Sequence, residues 1–112
     1  MLDLTWKEFE RVDLRVGTVT SAEPFPEART PAIKLTIDFG EEIGSRKSSA
    51  QITDHYTPDD LIGKQVAAVV NFPRKQIGPM MSECLVTGFV QEDGGVILAV
   101  PDKAAKNGTR LA

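Results

Sequence analysis

Val70-Asn71-Phe72-Pro73-Arg74-Lys75-Gln76-Ile77-Gly78-Pro79-Met80-Met81-Ser82-Glu83 is the stretch on which the reading of this chain turns. A nearly unbroken apolar strand, 66–70, runs into an Asn and then a Pro. Two adjacent cations follow, and then a Gly-Pro turn carrying two methionines. Strand exits hold backbone in a fixed place while side chains reach outward, which is where binding residues concentrate. The stretch supplies cations, amides and soft apolar groups, with no nucleophile–base pair and no cluster of metal ligands. It reads as a surface that binds and does not transform. The competing reading is that Pro73 and Gly78-Pro79 shape a barrel loop, with Arg74 and Lys75 as solvated charges.

Outward from this stretch the periodicity is that of short strands. Leu14, Val16, Thr18 and Thr20 alternate with Arg15, Gly17, Val19 and Ser21. Gly17 within that run implies a bulge or a close backbone approach. Ile33, Leu35 and Ile37 alternate with Lys34, Thr36 and Asp38 in a second strand. A third, mostly polar strand covers 45–52, a fourth 64–71, a fifth 84–91 and a sixth 96–100, the last two joined at Asp93-Gly94-Gly95. Thr5-Trp6-Lys7-Glu8 has the form of a capping box, so a short helix should follow with Trp6, Phe9 and Val12 on one side. Thr57-Pro58-Asp59-Asp60 starts a second short helix, with Pro in the first turn and acids at the positive end of the dipole. The period predicts an all-β barrel or sandwich in one domain, 1–112, with a short N-terminal helix and a short helix between strands three and four.

Composition excludes several classes. The hydrophobic fraction is 41%, the charged fraction 26% and the net charge −3, so no global basic field draws in nucleic acid. Charge is uneven, however. Residues 1–42 carry 5 Lys/Arg against 9 Asp/Glu, and 43–82 carry 5 against 3. Any basic face is therefore local. The lone His55 has no metal-site spacing, Gly94-Gly95 is a hairpin turn and not a phosphate loop, and Cys84 heads an apolar run as a small buried hydrophobe. These readings exclude an enzyme, a metal site and a cofactor. Asp3, Glu8 and Glu10 interrupt the start of the chain, and no h-region or membrane-length run is present, so a cytoplasmic location without membrane insertion is expected. Aromatic stacking platforms for single strands are nearly missing.

The chain also resembles a known family, the OB-fold tRNA-binding domains appended to some aminoacyl-tRNA synthetases. The residues carrying the resemblance are Asp13-Leu14-Arg15-Val16-Gly17-Thr18-Val19, Glu23-Pro24-Phe25-Pro26-Glu27-Ala28-Arg29, Asp38-Phe39-Gly40, Leu61-Ile62-Gly63-Lys64-Gln65-Val66, Val70-Asn71 and Ser82. Where synthetase-type modules show Ser-Gly, this chain has Ala50-Gln51. Where they show Gly-Met after the Ser, it has Cys84-Leu85. Both departures are similar to the CsaA-type secretion chaperones of the same family.

The resemblance implies an OB-fold Greek-key barrel and a homodimer. It implies an ATP-independent, export-related chaperone that holds unfolded or preprotein segments, with tRNA and the export machinery as further partners. The alternative it leaves open is a stand-alone, structure-specific tRNA-binding protein. In an OB barrel the second and third strands form the usual ligand face. The expected RNA site is accordingly Lys34, Arg46, Lys47, Arg74 and Lys75, with Ser49 and Ser82. The expected polypeptide site is Ile77, Met80 and Met81, with Gln51 and Asn71, because flexible methionines suit dissimilar apolar partners. The methionines can equally plug the core or an interface. Trp6, Phe9, Phe89, Val96 and Leu98 exceed what a small barrel needs to cover itself, and make the expected dimer interface.

Overall fold

A computed structural model describes residues 1–112. Helix α1 (Trp6–Glu10) precedes strands β1 (Leu14–Pro24), β2 (Ile33–Asp38) and β3 (Ser45–Ala50), then helix α2 (Pro58–Leu61) and β4 (Gln65–Val69). Five short strands complete the chain: β5 (Lys75–Ile77), β6 (Met80–Ser82), β7 (Leu85–Val86), β8 (Gly88–Val90) and β9 (Val96–Leu98). The main sheet has the order β3-β2-β1-β4-β7, all neighbours antiparallel. It curls until β3 approaches the segment leading into β7, giving a nearly closed barrel. Both expected helices sit where the capping residues put them. Thr5 and Glu8 exchange the reciprocal bonds of a capping box. The Thr57 N–H donates to the Asp60 carboxylate at 2.9 Å.

One strand makes the curl possible. β1 pairs with β4 along its first half and with β2 along its second, so it must bend between two sheet directions. The register slips between Val19 and Ser21, a bulge at Thr20 that supplies the bend. Gly17 supplies the room. A Cβ there would stand 2.6 Å from Ile37 Cγ2 and 2.7 Å from the Phe39 ring. The close approach expected at Gly17 is present, and the bulge lies three residues further on.

The core beneath is the alternate face of these strands: Val19, Ile33, Leu35, Ile37, Phe39 and Val66, with Leu61 of α2 buried among them. The segment after Pro101, about which periodicity said nothing, runs back over β1. The Thr18 hydroxyl donates to Asn107 Oδ1 at 2.8 Å, and the Gln65 amide exchanges bonds with the Ala105 backbone at 2.6 and 2.9 Å. Arg110 reaches the carbonyls of Glu10 and Val12 and the Asp13 carboxylate.

Several expectations are corrected. The fifth strand is not continuous over 84–91. Thr87 gives its N–H and hydroxyl to the Ala67 carbonyl and accepts the Ala99 N–H, so the chain leaves β4 there and turns at Gly88 to pair with β9. A Cβ on Gly88 would lie 2.5 Å from Val96 Cγ1. The Gly78-Pro79 turn is the tip of a two-stranded hairpin, β5–β6, with Gly78 at φ +55. Met80 does not project outward; at 7% exposure it packs with Phe25 and Ala32 in a small second core that Ile77 and Ala28 flank. Strand alternation explains this, since Met80 and Met81 must point to opposite faces, and Met81 is the exposed one. Leu98 is likewise 5% exposed, a core residue and not an interface residue, because β9 turns it toward the barrel.

Candidate functional site

The β5–β6 hairpin, packed down through Met80 on Phe25 and Ala32, forms a wall between two grooves. Alternation along its strands sends most neighbouring side chains to different grooves, while Met80 and Met81 beside the hairpin tip both border the first. Arg74, Met81 and Glu83 line the first, while Lys75, Ile77 and Ser82 line the second. Along β3 the division is by position and not by alternation: Lys47 and Ser49 share the outward face, Lys47 bordering the first groove and Ser49 the second. The five cations therefore do not form one patch. Lys34, Lys47 and Arg74 converge, Lys75 stands across the wall, and Arg46 lines neither groove.

The first groove, about 390 Å³, is polar. Two of its cations carry built-in counterions. Lys34 Nζ lies 3.6 Å from Glu23 and 5.5 Å above the Phe25 ring. Arg74 lies 3.6 Å from Glu83. The Lys47 ammonium has no ion-pair partner. Glu83 is also fixed by backbone: its Oε1 accepts the Lys47 N–H at 3.1 Å, and its own N–H donates to the Lys47 carbonyl at 2.8 Å.

The second groove, about 680 Å³, is the larger and more apolar. Phe72, Ile77, Leu85, Val86 and Val90 line it, and Ser49 at the end of β3 and Gln51 just beyond it supply polar groups. Lys75 is its one charged lining group. Phe72 is 56% exposed and was not singled out in the sequence. Its signal was available: an aromatic wedged between Asn71 and Pro73 at a strand exit cannot continue the sheet into the core.

Two expected site residues serve the scaffold instead. Arg46 Nη1 donates to the Val70 carbonyl at 2.8 Å, tying β3 to the end of β4. Asn71 accepts the Asp13 N–H at 3.0 Å and donates to the Arg11 carbonyl at 2.6 Å, so both ends of its amide are used to hold α1 against the barrel. Neither faces a groove. Cys84 is buried, and burial pushes its thiol up to about 11, so it is protonated at neutral pH and inert as a nucleophile.

A third concavity, about 260 Å³, lies between α1 and the C-terminal segment, lined by Trp6, Phe9, Val12 and Leu111. Trp6 is 78% exposed and meets Phe9 edge to face. Phe89, on the outward face of β8, is 63% exposed, while Val96 opposite Val90 packs partly onto the core.

A family model described as "Putative tRNA binding domain" matches residues 14–110. The chain belongs to the tRNA-binding domain family. Within that family it is similar over nearly its whole length to two solved chaperones. One is the chaperone CsaA of Bacillus anthracis strain Ames, 52% identical with a TM-score of 0.92, covering 99% of this chain and 100% of that one. The other is the CsaA chaperone protein of Picrophilus torridus, 46% identical with a TM-score of 0.91, covering 98% and 100%. The MetRS-related protein of Pyrococcus horikoshii is 30% identical with a TM-score of 0.87, covering all of both chains. Among curated proteins, the methionine–tRNA ligase of Chlorobium chlorochromatii is 34% identical over 105 residues, 94% of this chain but 14% of the ligase. The chain thus spans a small part of the ligases it matches. As a CsaA-type member of the tRNA-binding domain family it has the OB-type barrel that the resemblance implied.

Proposed function

We propose that this chain is a non-catalytic, ATP-independent chaperone that holds apolar segments of unfolded or preprotein polypeptides in the second groove. The observation that carries the reading is that groove itself: a concave apolar surface framed by Phe72, Ile77, Leu85, Val86 and Val90, with hydrogen-bonding groups from Ser49 and Gln51 at its edge. Apolar pockets with a few placed polar groups are the usual form of a ligand site. Similarity at 46–52% identity to CsaA chaperones over the full chain supports it. Export-related clients, a cytoplasmic location and a homodimer joined through the Trp6–Phe9–Leu111 concavity belong to the same proposal. Titration calorimetry with an apolar peptide tests it. Binding should show a negative heat-capacity change and little salt dependence, and the variant Phe72→Ser should weaken it. Peptide affinity untouched by Phe72→Ser would refute the assignment.

A specific observation favours a second reading, tRNA binding. Lys34, Lys47 and Arg74 converge on one groove lined by residues of β2 and β3, the strands that form the usual ligand face of an OB barrel. The family to which the chain belongs supports it. RNA binding of this kind should weaken steeply with salt through counterion release.

A further inference from the structure

The first groove is not a plain cationic track. Its strand side is ordered by register: Ser21 stands opposite Thr36, Thr36 opposite Lys47, and the Lys47 backbone bonds to Glu83. Glu23 and Lys34 form the neighbouring row. Three cations and two carboxylates therefore line one concavity, and a carboxylate beside a bound phosphate is repulsive. The two carboxylates are held differently. Glu23 is well exposed and lies 3.6 Å from Lys34, a counterion that can swing aside. The Glu83 side chain is 23% exposed, and its Oε1 accepts the Lys47 N–H at 3.1 Å, which fixes the carboxylate in the groove. Its Oε2 lies 3.6 Å from the Arg74 guanidinium. That distance makes an ion pair and not a hydrogen bond, so the acceptor sites of Oε2 stay open to a ligand. Arg74 is exposed and can turn to a phosphate.

We infer that the first groove receives one unpaired guanine of a bound RNA, read by the Glu83 carboxylate. This rests on the RNA-binding reading of that groove and names the base it selects. Unpaired bases are read on their Watson–Crick edges. Guanine alone among the four standard bases presents two adjacent donors there, N1–H and the 2-amino group. A carboxylate is acceptor-only and takes them as a bidentate pair. Adenine, cytosine and uracil each set an acceptor beside their donor on that edge, and a carboxylate repels it. Oε1 keeps a lone pair beyond the one the Lys47 N–H uses. The apolar face comes from the hairpin, where the exposed Met81 lines the same groove; a thioether packs favourably against an aromatic ring. One methionine supports one base and not a stacked run, which agrees with the scarcity of aromatic platforms in this chain. Lys34, Lys47 and Arg74 are left for the flanking phosphates.

The test uses the full chain and a labelled stem–loop RNA whose uridine loop carries one guanine, read by fluorescence anisotropy. Versions with inosine or adenine at that position keep every phosphate. The adenine RNA should bind roughly tenfold or more weakly than the guanine RNA, the discrimination of a bidentate pair. Inosine, which lacks the 2-amino group, should fall between them. Glu83→Gln puts a donor amide in place of one acceptor oxygen, and should abolish the preference by weakening the guanine RNA only. Glu83→Asp, which keeps the charge but draws the carboxylate back, should lose the preference too. Glu23→Gln should tighten all three RNAs alike. If Glu83→Gln also tightens all three, Glu83 is a counterion and the inference is overturned. A guanine preference that survives Glu83→Gln in the folded variant overturns it as well. Equal, salt-sensitive binding of the three RNAs by the wild type overturns guanine selection while leaving RNA binding standing, and this comparison needs no variant to fold. No binding of any of the three overturns both.

Discussion

Exchanging Lys34, Lys47 and Arg74 together for Gln should flatten the salt dependence of tRNA binding, and exchanging Lys75 alone should not. The three cations line one groove, and Lys75 stands on the far side of the β5–β6 wall. Each phosphate contact contributes about 0.7 to 0.9 to the slope of log affinity against log salt, so three contacts account for roughly 2 to 3. Across a fourfold salt change that is a roughly 20- to 40-fold difference in affinity, which the triple variant should no longer show. Two of the cations must exchange a protein carboxylate for phosphate, since Lys34 and Arg74 each lie 3.6 Å from a glutamate. Partly exposed pairs of this kind hold at most about 1 kcal/mol, so the exchange is feasible but reduces affinity. Removing the Glu23 carboxylate by Glu23→Gln should therefore tighten RNA binding. The assay is filter binding at a series of salt concentrations, with melting temperature as a control for folding. An unchanged slope in the triple variant, or an equal fall from Lys75→Gln, would show that the phosphates lie elsewhere.

Three further outcomes follow from the packing. Met80→Ser should destabilise the fold by about 2–5 kcal/mol, the range for truncating a buried Met, whereas Met81→Ser should leave the melting curve nearly unmoved; denaturant unfolding of the two side by side decides this. Gly17→Ala drives a methyl into Ile37 and Phe39 and should lose about 1–3 kcal/mol, read as a lower midpoint at unchanged m-value. The Asp13 carboxyl is held below its usual range, chiefly by the hydrogen bond from Arg15 and further by the nearby guanidinium groups. Its stabilising effect is thus fully present above about pH 4, the unfolded value, and disappears as pH falls through the lower folded value. The stability gap between the wild type and Asp13→Asn should close on acidification, and a gap that widens in acid would refute the assignment.

Residue order alone determined much of this protein. Period-two alternation in 14–21 and 33–38, the capping sets at Thr5 and Thr57, and Gly17 are local signals, each readable because a strand or a helix end imposes its pattern on adjacent residues. They were sufficient for an all-β barrel or sandwich with two short helices, and the family resemblance narrowed it to an OB barrel. Tertiary structure alone decided which side of the β5–β6 wall each side chain reaches. A hairpin of three-residue strands is too short for alternation to declare itself, so Met80 and Met81 looked equivalent, as did Arg74 and Lys75. Arg46 and Asn71 have the chemistry of binding residues. Their partners, the carbonyls of Val70 and Arg11, are remote in sequence, and only closure of the barrel brings them together.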